Sequence, residues 1–389
     1  MTMNLQHGYG KSRKIDELSA TGAISGVILS SGDEDVETLS ATVATCRRVG
    51  VRTLLDPQTY IYSTSPAGTA RHHQSQGIAY GTMHWSQDAT RVSQQVRDVA
   101  AANAAIGISE VMIAPACKQS TFSDIWTPLS LQFARTAAKD WGGTRTIASV
   151  VIEDVAFDDW NSVADWLDVA TTLDVRGFYL LVDRGRRDYP SAPWSPLRLE
   201  NLMRLIYNLS ELNEFEVHWG YSDIDGLLGV AAGGTSMAAG WHYSLRQFAI
   251  SKWQPSDARG GLAAPRVYMP RLWAALRAEG EVGRILETEQ PEKLLPKGFI
   301  GRFADRPLAE WGRVEAQMLH LDLLGRSAKK LSGMDSVTSR LDAVGASLEG
   351  ARAHYRQLSR QNVLLPALYQ ARVESYLEAV EGFRGSESL

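Results

Sequence analysis

The feature of this sequence that most limits its fold is a repeated alternation between two hydrophobic patterns. A short apolar run of strand length precedes a longer stretch in which apolar residues recur every three or four positions, as on one helix face. The pair recurs eight times between about residue 23 and residue 288 of the 389-residue chain. Units of about 33 residues match the usual size of a (β/α)8 barrel.

The apolar runs predict eight strands, and the clearest of them, such as Ser149–Ile152, are apolar on both faces. Runs of this kind are typical of parallel strands that helices cover on both sides. The predicted strands are residues 23–32, 51–60, 108–118, 146–154, 176–184, 214–220, 234–241 and 265–270. Helices are predicted at residues 33–50, 88–106, 126–140, 160–173, 196–212, 225–232, 244–253 and 272–286.

We therefore predict an α/β fold, a TIM-type (β/α)8 barrel with a helical C-terminal extension. The alternative is an open, doubly wound sheet. The turn after the first predicted strand contains Ser30, Ser31 and Gly32 but no glycine-rich phosphate motif, which favours the barrel.

The predicted domains follow from where these patterns begin and end. Residues 1–22 form an N-terminal arm, residues 23–288 the barrel, and the proline-rich residues 289–307 a linker or strap. Residues 308–389 form a helical C-terminal extension, in which residues 308–383 have a helical period throughout. Two hypotheses remain open for this extension: a cap that packs on the barrel, or a module in which residues 308–383 bind a protein partner or a second copy.

Charge and composition exclude several classes of protein. The net charge of −4 gives no global basic field for nucleic acid or an anionic membrane, although Arg184, Arg186 and Arg187 form a small local cluster. No apolar run is long enough to span a membrane, and the N-terminus lacks the apolar core of a signal peptide. Cys46 and Cys117 stand far apart, so neither a disulfide framework nor a structural zinc site is expected, and a cytoplasmic location is favoured. The sequence identifies no cofactor.

In a (β/α)8 barrel the active site forms at the carboxyl ends of the strands. Nearly every predicted strand here ends in a polar or ionisable residue, although such residues often only mark where a chain reaches water. The candidate catalytic residues are Asp56, Lys118, Glu153 and Asp183. The candidate ligand-binding residues are Ser31, His218, Trp241, His242 and Arg246.

Two of these positions have a more specific context. Asp56 precedes a proline, which fixes its geometry as a general base or nucleophile requires, although an Asx turn gives the same pattern. Residues 233–246 begin with small residues and end with Trp241, His242 and Arg246. This pattern suits a planar ligand stacked on Trp241 with an anion near Arg246, or equally a tightly packed strand.

Other chemistries have weaker support. Asp56, Glu153, Asp183 and His218 are suitable metal ligands, but they are spread over four strands, so no metal site is predicted. His72, His73 and His84 lie in a long polar loop and are expected to be solvated. Lys118 suits a Schiff base if it is desolvated, but an ion pair with Glu153 or Asp183 is favoured.

Two segments together resemble the tRNA-guanine transglycosylase superfamily of barrels. Leu54–Gln58 is similar to the family's early aspartate and turn, and Gly234–Ala239 followed by Arg246 is similar to its later strand. The resemblance implies a nucleobase or nucleic acid at the barrel mouth. The family's nucleophilic aspartate would fall on Ala239, and its zinc-binding cysteine cluster has no counterpart, so Asp56 is the one carboxylate carried over.

Two functions therefore remain open. The first is a barrel that binds or modifies a nucleobase or nucleic acid, with a planar ligand against Trp241 near Asp56, Glu153 and Asp183. The second is a catalytically silent barrel that serves as a scaffold or recognition subunit of a multi-protein assembly, through its long loop and helical tail.

Overall fold

A curled sheet of parallel strands organises the protein, which is described by a computed structural model. The described residues are 2–10, 13–64, 68–78, 88–185, 188–254, 264–296 and 312–389. The strands of the sheet are β1 (Met3–His7), β2 (Gly26–Ser30), β3 (Arg52–Asp56), β4 (Met112–Ile113), β5 (Lys118–Gln119), β6 (Thr146–Glu153), β7 (Gly177–Asp183), β8 (Glu216–Trp219) and β9 (Ser236–Gly240).

The strand order is β3-β2-β1-β9-β8-β7-β6-β4, and β5 pairs with β6 further along the same edge. The two ends of this order, β3 and β4, have no backbone ladder between them in the described part of the chain. Side chains link the segments that follow them instead. Thr59 Oγ1 donates to the carbonyl of Ala116 (3.1 Å), and Ser63 Oγ accepts from the Lys118 amide (2.7 Å).

The predicted N-terminal arm is wrong, because Met3–His7 forms a strand at the middle of the sheet, between β2 and β9. The hydrophobic pattern did not predict this strand, because its inward-facing residues, Asn4 and Gln6, are polar. Asn4 Nδ2 donates to Ser236 Oγ (2.9 Å), and Gln6 Oε1 accepts from the Tyr179 hydroxyl (3.3 Å).

The predicted eighth strand is also misplaced. Residues Arg266–Met269 (β10) pair antiparallel with Ala274–Arg277 (β11) in a separate two-stranded sheet. The helix predicted at 272–286 is reduced to the short Gly283–Leu286, because β11 and a π turn use the preceding residues. The helix predicted at 244–253 is two 3₁₀ turns, Tyr243–Leu245 and Ile250–Trp253.

The other helices lie close to their predicted positions, and their ends follow ordinary capping chemistry. The side chains of Asp35, Asp88 and Asp159 accept hydrogen bonds at three N-termini, and Gly50 ends a helix with φ 72°. The helices are α1 (Lys14–Ala20), α2 (Val36–Val49), α3 (Ala89–Ala105), α4 (Thr127–Trp141), α5 (Trp160–Ala170), α6 (Pro196–Tyr207), α7 (Gly226–Ala231), α8 (Gly283–Leu286), α9 (Arg313–Ser332), α10 (Val337–Arg360) and α11 (Ala367–Glu387).

The predicted helical extension is present as α9, α10 and α11, and it packs on the sheet domain. Helix α9 lies against β10 and α7, and α11 lies against α6. Polar contacts join the two parts as well: His320 Nε2 lies 2.7 Å from Asp223 Oδ1, and Arg204 Nε lies 2.8 Å from Glu387 Oε1. We refer to α9–α11 as the cap. Throughout the described ranges, every helix is too short or too polar to cross a lipid bilayer.

Two hydrophobic cores hold this arrangement. The larger lies between the sheet and the helices and continues into the cap. The smaller lies inside the curl of the sheet, where Ile28, Leu54, Ile113, Val151 and Leu181 meet. Alternate residues of each strand thus enter different cores, which explains why the strands are apolar on both faces.

Candidate functional site

Asp56, the last residue of β3, lies inside the curl of the sheet and is 1% exposed. Its Oδ1 accepts from the Gln58 amide (3.0 Å), which is the Asx turn that the sequence allowed. Its Oδ2 accepts from the Tyr60 hydroxyl (3.0 Å) and lies 3.4 Å from the Tyr179 hydroxyl, whose single proton it shares with Gln6 Oε1. Burial raises the pKa of Asp56 to about 7, because loss of hydration disfavours the carboxylate more than these hydrogen bonds favour it.

An aromatic layer covers Asp56. The ring of Tyr60 meets those of Phe248 and Trp253 edge-on, with centroids 5.4 and 5.7 Å apart, and Tyr221 packs on Phe248 at 5.5 Å. All four side chains are buried. Phe248 and Trp253 come from the segment after β9, so this segment closes the site. Asp56 therefore cannot contact a ligand from solvent in this conformation.

The second group of candidate catalytic residues forms an ion-pair cluster at the ends of β5, β6 and β7. Lys118 Nζ contacts Glu153 Oε1 directly, and Asp183 Oδ2 lies 4.0 Å away. The predicted ion pair of Lys118 is confirmed. Burial raises the pKa of Asp183, whose Oδ1 accepts from the Gly185 amide (2.9 Å). The Lys118 amine is thus engaged in an ion pair with Glu153 and is not free for a Schiff base.

Ser31 belongs to a third, buried arrangement. Its Oγ lies 2.8 Å from His73 Nε2, and the Tyr62 hydroxyl lies 2.8 Å from His73 Nδ1. The expectation that His73 is solvated is wrong: its side chain is fully buried, and burial lowers its pKa to about 4. His72 is half-buried, whereas His84 lies outside the described residues. The polar composition of this loop did not indicate a buried histidine. Both ring nitrogens of His73 have hydrogen-bond partners inside the protein.

His218 does not belong to the carboxyl edge of the sheet, contrary to the prediction. Its Nδ1 lies 2.7 Å from Ser236 Oγ and its Nε2 3.3 Å from Glu216 Oε2. Glu216 in turn pairs with Arg52 (2.9 Å) and Arg176 (2.7 Å), which lie where strands begin. His218 therefore stabilises the amino edge. The apolar run correctly predicted the position of β8. It did not show whether the His218 side chain lies near the amino or the carboxyl end of the strand.

Arg246 and Trp241 also lie in different surroundings. Arg246 is 2% exposed, its Nε donates to the Gly240 carbonyl (2.9 Å), and its guanidinium lies 5.3 Å from the Tyr243 ring centre. It faces a buried junction between the sheet and the cap. Trp241 is half-buried and His242 is exposed, and both line an open pocket.

This pocket, which we call the Trp241 pocket, has a volume of about 450 Å³ and lies over the ends of β1, β2 and β9. Of the described residues that line it, Lys14, Lys252 and Arg313 are cationic and Asp33 is anionic. Lys252 Nζ lies 3.1 Å from Asp33 Oδ2. Lys14 is 2% exposed, and burial lowers its pKa to about 8. The pocket thus combines a partly exposed indole with an excess of positive charge.

The sequence did not point to these cations. Lys14 lies in the segment predicted to be an arm, and Arg313 lies in the cap, 299 positions further along the chain. Neither belongs to a local motif. Within the part of the chain that the structure describes, no three His, Cys, Asp or Glu side chains come close enough to hold a metal ion.

Comparisons with known proteins define no family for this chain. No protein-family model matches it, and curated proteins give no match. Among solved structures, it is similar to a probable tagatose 6 phosphate kinase from Sinorhizobium meliloti 1021, with 14% sequence identity. That similarity covers 98% of this chain and 99% of the other, with a TM-score of 0.30. The fold and site thus define a class only: an α/β protein with a cationic, tryptophan-lined pocket at the carboxyl edge of a curled parallel sheet.

Proposed function

We propose that the protein binds a nucleotide in the Trp241 pocket. The observation that carries this proposal is the combination of a half-buried indole with three cationic side chains in one concave site. The indole offers a face on which a nucleobase stacks, and the cations balance the charge of a phosphate. A volume of about 450 Å³ lies within the usual range for small-molecule sites.

Lys14 supports an anionic ligand in particular. A buried ammonium group is costly unless an opposite charge lies near it, and Glu34 supplies only part of that charge at Lys14. A phosphate in the pocket would bring a second anion to Lys14 and also to Lys252 and Arg313. The energetic reason for binding is therefore the pairing of cations that the fold has already placed together.

We also propose that the curled sheet closes as a complete (β/α)8 barrel, with β4 and β5 sharing one strand position beside β3. The hydrogen bonds from Thr59 to Ala116 and from the Lys118 amide to Ser63 support this closure. The Trp241 pocket then lies at the barrel mouth and includes the loop after the eighth strand position. Loops after the last two strands often bind phosphate in such barrels.

The resemblance to tRNA-guanine transglycosylases makes a guanine nucleotide the first ligand to test. Base exchange by that family's route is not proposed, because Ala239 occupies the place of the nucleophile and the aromatic layer separates Asp56 from solvent. The proposed activity is recognition of the nucleotide rather than exchange of its base.

Isothermal titration calorimetry with GMP, guanosine and inorganic phosphate tests this proposal. GMP should bind more tightly than either part alone, because the indole holds the base and the cations hold the phosphate. Loss of base stacking costs about 1–3 kcal/mol, so Trp241→Ala should weaken GMP binding roughly 5- to 150-fold. Lys252→Ala should weaken binding of GMP but not of guanosine.

The control is Trp160→Ala, which removes a half-buried indole on α5 that stacks under Arg204, away from the pocket. This variant should bind GMP as the wild type does. Two results would contradict the proposal. The first is that neither GMP nor a short single-stranded oligonucleotide binds. The second is that Trp241→Ala binds GMP with the same affinity as the wild type.

A scaffold in a multi-protein assembly is the second candidate, and the aromatic layer over Asp56 favours it. Because Asp56 is covered, a scaffold role does not require this carboxylate to react with a substrate. Sedimentation analysis at two protein concentrations, together with purification from the native host, tests this function. A monomer at both concentrations that purifies without a partner would argue against it.

A further inference from the structure

Three arginines converge at a buried junction between the sheet domain and the cap. Arg184 follows β7, Arg246 follows β9, and Arg372 comes from α11. Arg246 and Arg372 are 2% and 3% exposed, and the Arg184 side chain is 10% exposed. Guanidinium groups stay protonated when buried, so the junction holds three positive charges.

Two carboxylates share this junction, and both already have partners. Asp223 accepts from the Tyr189 hydroxyl (2.8 Å) and lies 2.7 Å from His320 Nε2. Asp225 accepts from Trp194 Nε1 (2.7 Å) and from the Tyr376 hydroxyl. The Arg184 Nη1 atom is 3.8 Å from Asp225 Oδ2, too far for a hydrogen bond. Of the described residues that line this junction, three are thus cations and two are anions. A third carboxylate, Asp154, also acts on Arg184, but it is paired with Arg198 (3.3 Å).

Several arginine donors at the junction have no hydrogen-bond partner among the described residues. They are Nε and Nη1 of Arg184, Nη2 of Arg246 and Nε of Arg372. Other atoms of the same groups are bound: Arg184 Nη2 donates to the Pro193 carbonyl (3.0 Å), and Arg372 Nη2 donates to the Ser191 carbonyl. The guanidinium groups are thus held in place while some of their N–H groups stay unsatisfied.

These arginines line a cavity of about 20 Å³, which Tyr189 and Asp223 also border. A space of this size holds about one water-sized particle. It is too small for a tetrahedral phosphate or sulfate. A water molecule would accept one or two hydrogen bonds, but it would leave the excess positive charge of the junction uncompensated.

We propose that this cavity binds a single monovalent anion of the size of chloride, which joins the sheet domain to the cap. The anion would accept the unpaired N–H groups and balance the third arginine. It would therefore be part of the folded structure, and its binding would not depend on occupation of the Trp241 pocket. The structure assigns it a stabilising role, because buried charge without compensation is costly.

Thermal unfolding at constant ionic strength tests the proposal when sodium gluconate is replaced by sodium chloride or bromide. Gluconate is too large for the cavity. A ligand that binds only the folded state raises Tm, so chloride at about 200 mM, with a Kd of about 20 mM, should raise the Tm of the wild type by roughly 1–2 °C. Arg246→Gln should lose this chloride-dependent shift.

The matched control is Arg204→Gln, which removes an arginine of α6 that is paired with Glu387 on α11 (2.8 Å), away from the cavity, and should keep the shift. If Arg246→Gln does not fold, bromide-soaked crystals of the wild type provide the second measurement. An anomalous bromide peak in the cavity would support the proposal. A Tm that does not depend on the identity of the anion, together with water density and no anomalous signal in the cavity, would overturn it.

Discussion

At the scale of single residues, Asp56 shows how surroundings change the meaning of a sequence signal. Its Asp-Pro context correctly indicated a carboxylate fixed in a turn. Tyr60 and Tyr179 donate to it, and the aromatic layer excludes water. Tyr60 is only four positions away, but Tyr179 and the rings of Phe248 and Trp253 come from distant parts of the chain. Burial among them raises the pKa of Asp56 to about 7.

This shift has a consequence for stability that depends on pH. The folded pKa of Asp56 is about 7, whereas an unfolded aspartate titrates near 3.9. Between these values the folded state binds more protons, so stability falls as pH rises from about 4 to about 7. At about 1.4 kcal/mol per pKa unit, the full loss at this site is roughly 4 kcal/mol.

Asp56→Asn removes this titration with little change of shape. We expect the stability of the wild type relative to Asp56→Asn to decrease from pH 4 to about pH 7 and then to level off by pH 8, as measured by urea unfolding at several pH values. Asp158→Asn is the control, because Arg198 lowers the pKa of Asp158 and the same decrease should be absent. A constant difference between wild type and Asp56→Asn across this range would show that Asp56 does not titrate near neutrality.

At the scale of elements, the close approach of the cap to the sheet domain depends on a glycine. Gly325 on α9 lies against the backbone of Ala23, and a Cβ at this position would overlap the Ala23 carbonyl oxygen. The contact is with backbone, which cannot move aside as a flexible side chain can. Helix α9 therefore approaches this segment as closely as its backbone allows.

Gly325→Ala should consequently destabilise the protein despite the better helix propensity of alanine. We expect a loss of roughly 1–3 kcal/mol in the free energy of unfolding, as is typical when a packed interface receives an extra carbon. Gly345→Ala on α10 is the control, because an added Cβ there meets open space. It should stabilise the protein by up to about 1 kcal/mol. Chemical denaturation measures both changes, and a stabilising Gly325→Ala would refute this view of the interface.

Strands and helices could be predicted from the sequence where a continuous hydrophobic pattern marks the whole element. Strands β6 and β7 are continuous apolar runs and lie within a residue of their predicted ends. Strand β1 was not predictable, because Asn4 and Gln6 interrupt its apolar pattern and their partners lie on β7 and β9. Residues 266–269 look like another barrel strand, but their antiparallel partner β11 follows directly in a tight turn.

At the scale of the whole molecule, the carboxyl edge of the sheet contains separate groups rather than one converged site. Asp56 lies under the aromatic layer, Lys118 pairs with Glu153 at one side, and the Trp241 pocket lies at another. The sequence could place candidates at this edge because all parallel strands end there. It could not divide them into groups, since the division depends on the loops and on the cap.

The cap also contributes directly to this organisation. Arg313 on α9 lines the Trp241 pocket, and Arg372 on α11 lines the buried junction. Both groups are therefore incomplete in the sheet domain alone. The helical extension is part of the candidate ligand site as well as part of the hydrophobic core.

A crystal structure of the protein soaked with GMP would test most directly where the ligand binds. We expect the guanine ring to stack on the Trp241 indole, with the phosphate within reach of Lys14, Lys252 and Arg313, while Phe248 and Trp253 continue to cover Asp56. Guanine density against Asp56 with a displaced aromatic layer, or an empty Trp241 pocket at saturating GMP, would contradict this assignment.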